Sequence, residues 1–545
     1  MRLQSNLVDI KARKVYPATL EVSGGKIISI TPIDEECSTY ILPGFIDAHI
    51  HIESSMCIPT EFARLAVRHG TVATVSDPHE IANVLGKEGV RYMIDNAKKS
   101  PFKFYFGASP CVPATPFETS GATLDAEDIS TLLQDDDIYF LSEVMNFPGV
   151  INNDPDMMSK IEAAKTAGKP IDGHAPSLSG TDLDRYITAG ITTDHEASTY
   201  EEGLEKLQKG MKILIREGSA AKNFDALEPL ITEHYEKMMF CSDDCHPDDL
   251  FRGHINTMVK RAIAKGHDLF HVLQMACINP IEHYKLDVGQ LKVGDAADFI
   301  EVTDLKGFQN IRTVINGVEV AKDNKTLLQS IPATQPNIFK AKRTCADDFA
   351  TSTCLAEVEV IEVLEHQLLT QESKVTLADE TGYDLKKDIL KIAVINRYKD
   401  TPIALAHIHG FGLKEGAIAS SVAHDSHNII VVGCSDEALS KAANLVIDAK
   451  GGISAVTEGD KRLLRLPVAG LMSDSDGFET ADSYEKIDDF VKQLLKTPLD
   501  APYMTLSFMA LLVIPELKLS DKGLFDAKSF HFINSCSSPK KALKK

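Results

Sequence analysis

Residues Pro43 to Ser55 read PGFIDAHIHIESS. Ile41, Leu42, Phe45 and Ile46 form a short apolar stretch of the kind that becomes a buried strand. It ends in Asp47-Ala48-His49-Ile50-His51. Successive strand side chains point to opposite faces, so His49 and His51 project on the same side. Two imidazoles side by side at a strand end make a natural bite for a divalent metal. A bare H-x-H pair reads more readily as polar residues of a loop. Here Gly44 frees the backbone just before the strand, and Asp47 and Glu53 flank the pair, which favours the metal.

Two ligands do not suffice, because a catalytic metal needs at least three from the protein and an open position. Further along, strand-like segments end in residues of ligand type. Glu143 follows the apolar run within DDDIYFLSEVM (135–145), His174 lies in KPIDGHAP (169–176), and His195 in GITTDHE (190–196). Asp243 and Asp244 follow Met238, Met239 and Phe240. Helix-like stretches lie between, at Met157 to Ala167 and Tyr200 to Arg216. Strand, ligand, helix is the rhythm of a (β/α)₈ barrel of TIM type, whose functional residues sit at the carboxyl ends of its strands.

The order H-x-H, Glu, His, His, Asp resembles the amidohydrolase superfamily. After the barrel, VGQLKVGDAADFIE (288–301) looks like the family's return into a small β-sandwich. Within the superfamily the chain is similar to the bacterial adenine deaminase family. The stretches that carry the likeness are Pro43 to Met56, TVSDPHEIANVLG (74–86), SEVMNFPGV (142–150), DGHAP (172–176), SDDCHPDDL (242–250) and VAHDSHN (422–428). The resemblance implies a binuclear centre of two divalent ions, manganese or ferrous iron ahead of zinc. His49, His51 and Asp243 would hold one ion and His174 and His195 the other. Glu143 would bridge them where many relatives use a carboxylated lysine. A metal-activated hydroxide would then attack adenine, with Asp243 as general base, to give hypoxanthine and ammonia in purine salvage. The first acid of the 243–244 pair takes that role in the wider superfamily, which leaves Asp244 to contact the purine. Two neighbours on a regular strand cannot both aim at one ion, unless the chain turns after Ser242.

Asp77-Pro78-His79-Glu80 is the next candidate. Asp77 and Glu80 suit proton transfer and His79 suits substrate binding; the bland reading is a solvated turn with Asp77 as helix N-cap. His79-Glu80-Ile81-Ala82-Asn83 misses the H-E-x-x-H pattern at its last position. Pro110-Cys111 is followed by Ala114 where a cytidine-type deaminase needs its second cysteine. Cys241 and Cys245 read as packing residues. His407 and His409, with His424 and His427, suit a separate metal site, a lining of the active-site mouth, or a purely structural role. Two rivals to adenine deamination remain: another binuclear amidohydrolase, and a non-catalytic scaffold. The second is disfavoured because all six ligand positions are filled.

Three parts are expected. Residues 1–41 and 286–335 would build a composite β-sandwich, with Asn316-Gly317 as a hairpin turn. Residues 42–285 would form the barrel. After a Pro-containing linker at 329–337, residues 341–545 would form a C-terminal α+β domain, with strands at 355–364 and 429–433, a helix at 435–449, and a disordered basic tail at 539–545. A chain of 545 residues is too long for one core. The net charge of −22 argues against nucleic acid or anionic membrane as partner. No run of about 18 apolar residues exists to span a bilayer, and the N-terminus lacks the apolar core of a signal peptide. Ten scattered cysteines favour a reducing cytoplasm over a disulfide framework. The resemblance further implies a homodimer acting on a small-molecule substrate.

Overall fold

A computed structural model describes residues 1–351, 357–364, 369–377 and 381–533. The chain opens with four strands, β1 (Arg2–Asp9), β2 (Lys14–Ser23), β3 (Lys26–Pro32) and β4 (Tyr40–Pro43). Gly24 and Gly25, both at positive φ, turn β2 into β3. Eight strands follow: β5 (Phe45–Ile50), β6 (Thr71–Ser76), β7 (Lys103–Ala108), β8 (Ile138–Val144), β9 (Ile171–Gly173), β10 (Thr193–Asp194), β11 (Lys212–Arg216) and β12 (Met238–Cys241). Strands β5 to β9 pair in parallel, as do β10 to β12. Between β9 and β10 the Thr192 amide donates to the Ile171 carbonyl. On the other side the His51 amide donates to the Asp243 carbonyl, and the Asp243 amide to that of His49. The curled parallel sheet is a (β/α)₈ barrel, with helices such as Pro59–Ala66, Pro155–Ala167 and Ile255–Ala264 outside it.

Gly44 is required by close approach: a Cβ there would lie 2.3 Å from a Val72 methyl. The stretch from Tyr200 to Arg216, expected as one helix, divides. Residues Tyr200–Gln208 are helical, and Lys212–Arg216 form β11. The run Ile213-Leu214-Ile215 is fully buried, and β-branched residues suit a strand buried on both faces.

Past the barrel, β13 (Phe299–Val302), β14 (Asn310–Ile315), β15 (Val318–Lys322) and β16 (Lys325–Thr326) return to the opening strands. β13 pairs antiparallel with β4, so one eight-stranded sheet is built from both ends of the barrel sequence. Asn316 and Gly317 both take positive φ, as a type I′ hairpin requires. The C-terminal part carries a second eight-stranded sheet of β17 (Glu357–Val363), β18 (Thr370–Thr376), β19 (Leu390–Ile395), β20 (Ala404–His409), β21 (Ala417–Ser420), β22 (Ile429–Gly433), β23 (Gly452–Val456) and β24 (Lys461–Arg465). Helix Asp436–Ala449 packs on it, with the Ser435 hydroxyl accepting from the Ala438 amide as N-cap. The 539–545 tail, and residues 355–356 of the expected 355–364 strand, lie outside the described residues.

One apolar cluster runs from the barrel (Ile46, Val75, Leu141) into the C-terminal sheet (Ile392, Ile418, Ile453), so the two share a core. Polar contacts cross the same boundary: Ser473 amide to Met56 carbonyl at 2.8 Å, and Arg64 to Asp476 at 2.6 Å. Among the described residues no helix is long and apolar enough to cross a membrane.

Candidate active site at the barrel mouth

The carboxyl ends of β5, β8, β9, β10 and β12 bring His49, His51, Glu143, His174, His195 and Asp243 together. All are buried except His174, which is half-buried. The His49 and His51 Nε2 atoms are 3.2 Å apart, at the same end of β5. Asp243 Oδ1 lies 3.4 Å from the first and 3.1 Å from the second. Glu143 divides its carboxylate: Oε1 is 3.3 Å from His51 Nε2, while Oε2 is 2.8 Å from His174 Nδ1 and 3.2 Å from His195 Nε2.

The surroundings fix how these groups present themselves. His51 Nδ1 lies 3.1 Å from the Asp77 carbonyl, which can only accept, so Nδ1 carries the proton and Nε2 offers its lone pair inward. His195 Nε2 is buried, close to Glu143 and yet without a hydrogen-bond partner. A buried imidazole nitrogen beside a carboxylate and without a hydrogen-bond partner is open to a cation. With imidazole and carboxylate as the donors, the cluster fits a divalent metal centre.

Asp243 adopts a positive φ of 53° directly after Ser242, which breaks strand alternation. Its carboxylate turns to the histidines and to Arg216, 2.8 Å away at the end of β11. Asp244 also lines the pocket, where Ser54 Oγ donates to it. Both acids therefore face the same cavity. Burial opposes ionisation of Asp243, but Arg216 and the two histidines outweigh it and hold the carboxyl well below the usual range. Burial and the neighbouring Asp243 charge both push Asp244 up. Glu143 is likewise held low, burial being outweighed by His174 and His195. Burial lowers His174, but Glu196 and Glu143 raise it to about 9, so metal binding there must displace a proton.

Asp77 is not a helix cap: helix His79–Leu85 starts after Pro78, and Asp77 accepts from Ser109 Oγ and His79 Nδ1. His79 and Glu80 line the pocket. Cys241 and Cys245 are buried beside the strand end, within the apolar core.

Several residues of the site were not legible in the sequence. Arg216 and its partner Glu196 belong to strand ends read as helix and as mere flank. Asp47 turns away from the pocket, accepting from the Ser242 amide and facing His254 Nε2 at 2.8 Å, and so ties β5 to β12. The roof comes from the C-terminal part: His424, which the sequence already offers as a lining of the mouth, and Asp425, Phe508, Leu511 and Ile514, which it does not. The Phe508 ring stacks on His424 with centroids 4.4 Å apart. His407 and His409 lie on β20, His409 facing Glu362, and among the described residues neither joins a cluster of potential ligands.

The amidohydrolase family model matches residues 40–320, and the model of the adenine deaminase C-terminal domain matches residues 367–531. A curated adenine deaminase of Sulfurovum sp. strain NBC37-1 is 62% identical over 536 residues, covering 98% of this chain and 100% of its own. That of Salinibacter ruber is 52% identical, covering 98% of each chain, and that of Borreliella burgdorferi is 50% identical, covering 98% and 99%. The chain therefore belongs to the adenine deaminase family of the amidohydrolases.

Proposed function

We propose that the protein hydrolyses adenine to hypoxanthine and ammonia. The full-length match to curated adenine deaminases carries this reading, and the strand-end cluster supplies the means. His49, His51 and Asp243 would hold one divalent ion and His174 and His195 a second, with one Glu143 oxygen directed to each. Manganese or ferrous iron is preferred on family grounds, with zinc also compatible with such ligands. Bound there, a divalent ion would supply an acidified water, whose pKa falls from about 15.7 towards 7 in the case of zinc.

The chain's own groups then divide the proton chemistry. Asp243, kept ionised and oriented by Arg216, takes the proton of the water as its oxygen adds to the carbon bearing the amino group. Asp244, whose carboxyl is pushed up by burial and by the Asp243 charge, faces the cavity as a hydrogen-bonding partner for a ring nitrogen. The proton on Asp243 passes to the amino group of the tetrahedral carbon, the C–N bond breaks and ammonia leaves. The C-terminal roof keeps bulk water out. We extend the reading to a cytoplasmic homodimer in purine salvage that takes the free base, with neither nucleic acid nor membrane as partner; the net charge of −22 supports the last part.

Ultraviolet absorbance of metal-loaded protein should show adenine consumed, with adenosine a poor substrate. Hydrolysis of a cyclic amide with no turnover of adenine would overturn the assignment.

A further inference from the structure

Beside the strand-end cluster lies a second one that joins the barrel to the C-terminal part. His79 and Glu80 come from the end of β6, and His424, Asp425 and His427 from the loop before β22. All five are at most 3% exposed. Glu80 divides its oxygens as Glu143 does: Oε1 is 2.6 Å from His424 Nδ1 and 3.2 Å from His79 Nε2, while Oε2 meets His427 Nε2. Asp425 Oδ1 lies 3.7 Å from His424 Nδ1 and 3.9 Å from His79 Nε2. Despite these approaches, neither Glu80 oxygen, nor Asp425 Oδ2, has a hydrogen-bond partner. The same close but unaligned contact marks His195 in the first cluster.

The proton positions sort ligands from supports. His79 Nδ1 faces Asp77 Oδ2 at 3.1 Å, so the proton sits on Nδ1 and the Nε2 lone pair points into the cluster. A carboxylate behind a histidine is the usual support of a metal-ligating imidazole. His427 is the opposite case. Its Nδ1 accepts from the Ala423 amide at 3.2 Å, so Nε2 keeps its proton and has no lone pair to offer a cation. His427 thus borders the cluster on the Oε2 side of Glu80 as a close contact and not as a ligand, and Oε1 stays open to another partner. The four remaining ligand atoms, on His79, Glu80, His424 and Asp425, lie within 4.8 Å of one another. Ligands about 2.0–2.2 Å from one ion are spaced roughly 3 to 3.6 Å apart; His79 and Glu80 meet that range, His424 and Glu80 lie closer, and Asp425 stands slightly outside it.

We propose that His79, Glu80, His424 and Asp425 form a third cation site, for a divalent first-row metal suited to imidazole and carboxylate, that fastens the C-terminal roof to the barrel. Two of its ligands come from each part, so the ion cross-links them at the edge of the pocket. It also offsets the two carboxylates buried at this boundary, where an unpaired charge is costly. The site does not depend on the identity of the substrate: its metal count can fail while adenine is still deaminated, and the reverse.

The test is metal-free full-length protein reloaded with manganese or zinc, with metal per chain read by plasma mass spectrometry. About three equivalents are expected at saturation, and about two in Asp425→Asn, which keeps the side-chain size. Anomalous diffraction from metal-loaded wild-type crystals should place a peak between His79 and Asp425. Saturation at two equivalents without that peak overturns the inference, whatever the variant does. An Asp425→Asn protein that still binds three overturns it as well.

Discussion

At the scale of single residues, the proposed chemistry rests on carboxylates with contrasting surroundings. Glu143 meets histidines on both sides, one set per oxygen. Glu143→Gln keeps the shape and removes the charge, so metal content and turnover should fall together. A variant with a full complement of metal would show that another acid forms the bridge. Asp243 and Asp244 are neighbours with opposite shifts: Arg216 holds one ionised, while burial and the adjacent charge push the other towards neutrality. Asp243→Asn should lose at least about 10²–10⁴ in kcat, the usual range for a general base. Asp244→Asn should mainly raise KM. Steady-state kinetics of the two variants decide the matter, and a dead Asp244→Asn beside an active Asp243→Asn would reverse the roles.

At the scale of elements, the site depends on the closure of the barrel between β5 and β12. Only a few backbone contacts join these strands, among them His51 to Asp243 and Asp243 to His49. Asp47 reinforces them by accepting from the Ser242 amide and facing His254, whose other ring nitrogen meets Thr71 Oγ1. Asp47→Ala leaves His254 and the Ser242 amide buried without their partner. The expected cost is about 2–4 kcal/mol of stability, with weaker metal retention because His49 and Asp243 ride on the two joined ends. Calorimetry and dialysis against a mild chelator measure the two effects. Unchanged metal retention in a destabilised variant would mean that the ligands hold their geometry without this clasp.

Across the whole molecule, the boundary between barrel and C-terminal part holds a pH-sensitive group. Helix Gly477–Phe490 packs against helix Pro247–Arg252, and there burial, with Asp248 nearby, outweighs the Lys492 contact and raises Asp488 to about 6. A folded pKa above the unfolded value near 3.9 means that the native state binds more protons in between. This group therefore lowers stability as pH rises from about 4 to about 6, and the loss is complete above that. Asp488→Asn should flatten the stability profile in this window and gain about 1 kcal/mol at pH 7, part of the benefit being offset by loss of the Lys492 pair. Thermal unfolding from pH 4 to 8 checks the slope; a slope unchanged by the substitution would assign it to another group.

The barrel, and the histidines and acids gathered at its mouth, were legible in the sequence because each strand end is a local pattern: an apolar run fixes the strand, and the residue after it faces the mouth. The Asn316-Gly317 hairpin and the Ser435 cap were legible for the same reason, since their chemistry is confined to a few adjacent residues. The strand Lys212–Arg216 was missed because a short apolar run next to a helix has no period of its own to separate it. What Arg216, Asp47 and the roof residues do could be decided only by the tertiary structure. Their partners lie 20 residues or more away along the chain, and pairing over such distances is set by packing rather than by local sequence. The same holds for Glu80, whose histidine partners sit more than 300 positions further on: residue types alone mark it as a candidate acid, and only the fold sets it between the two parts of the molecule.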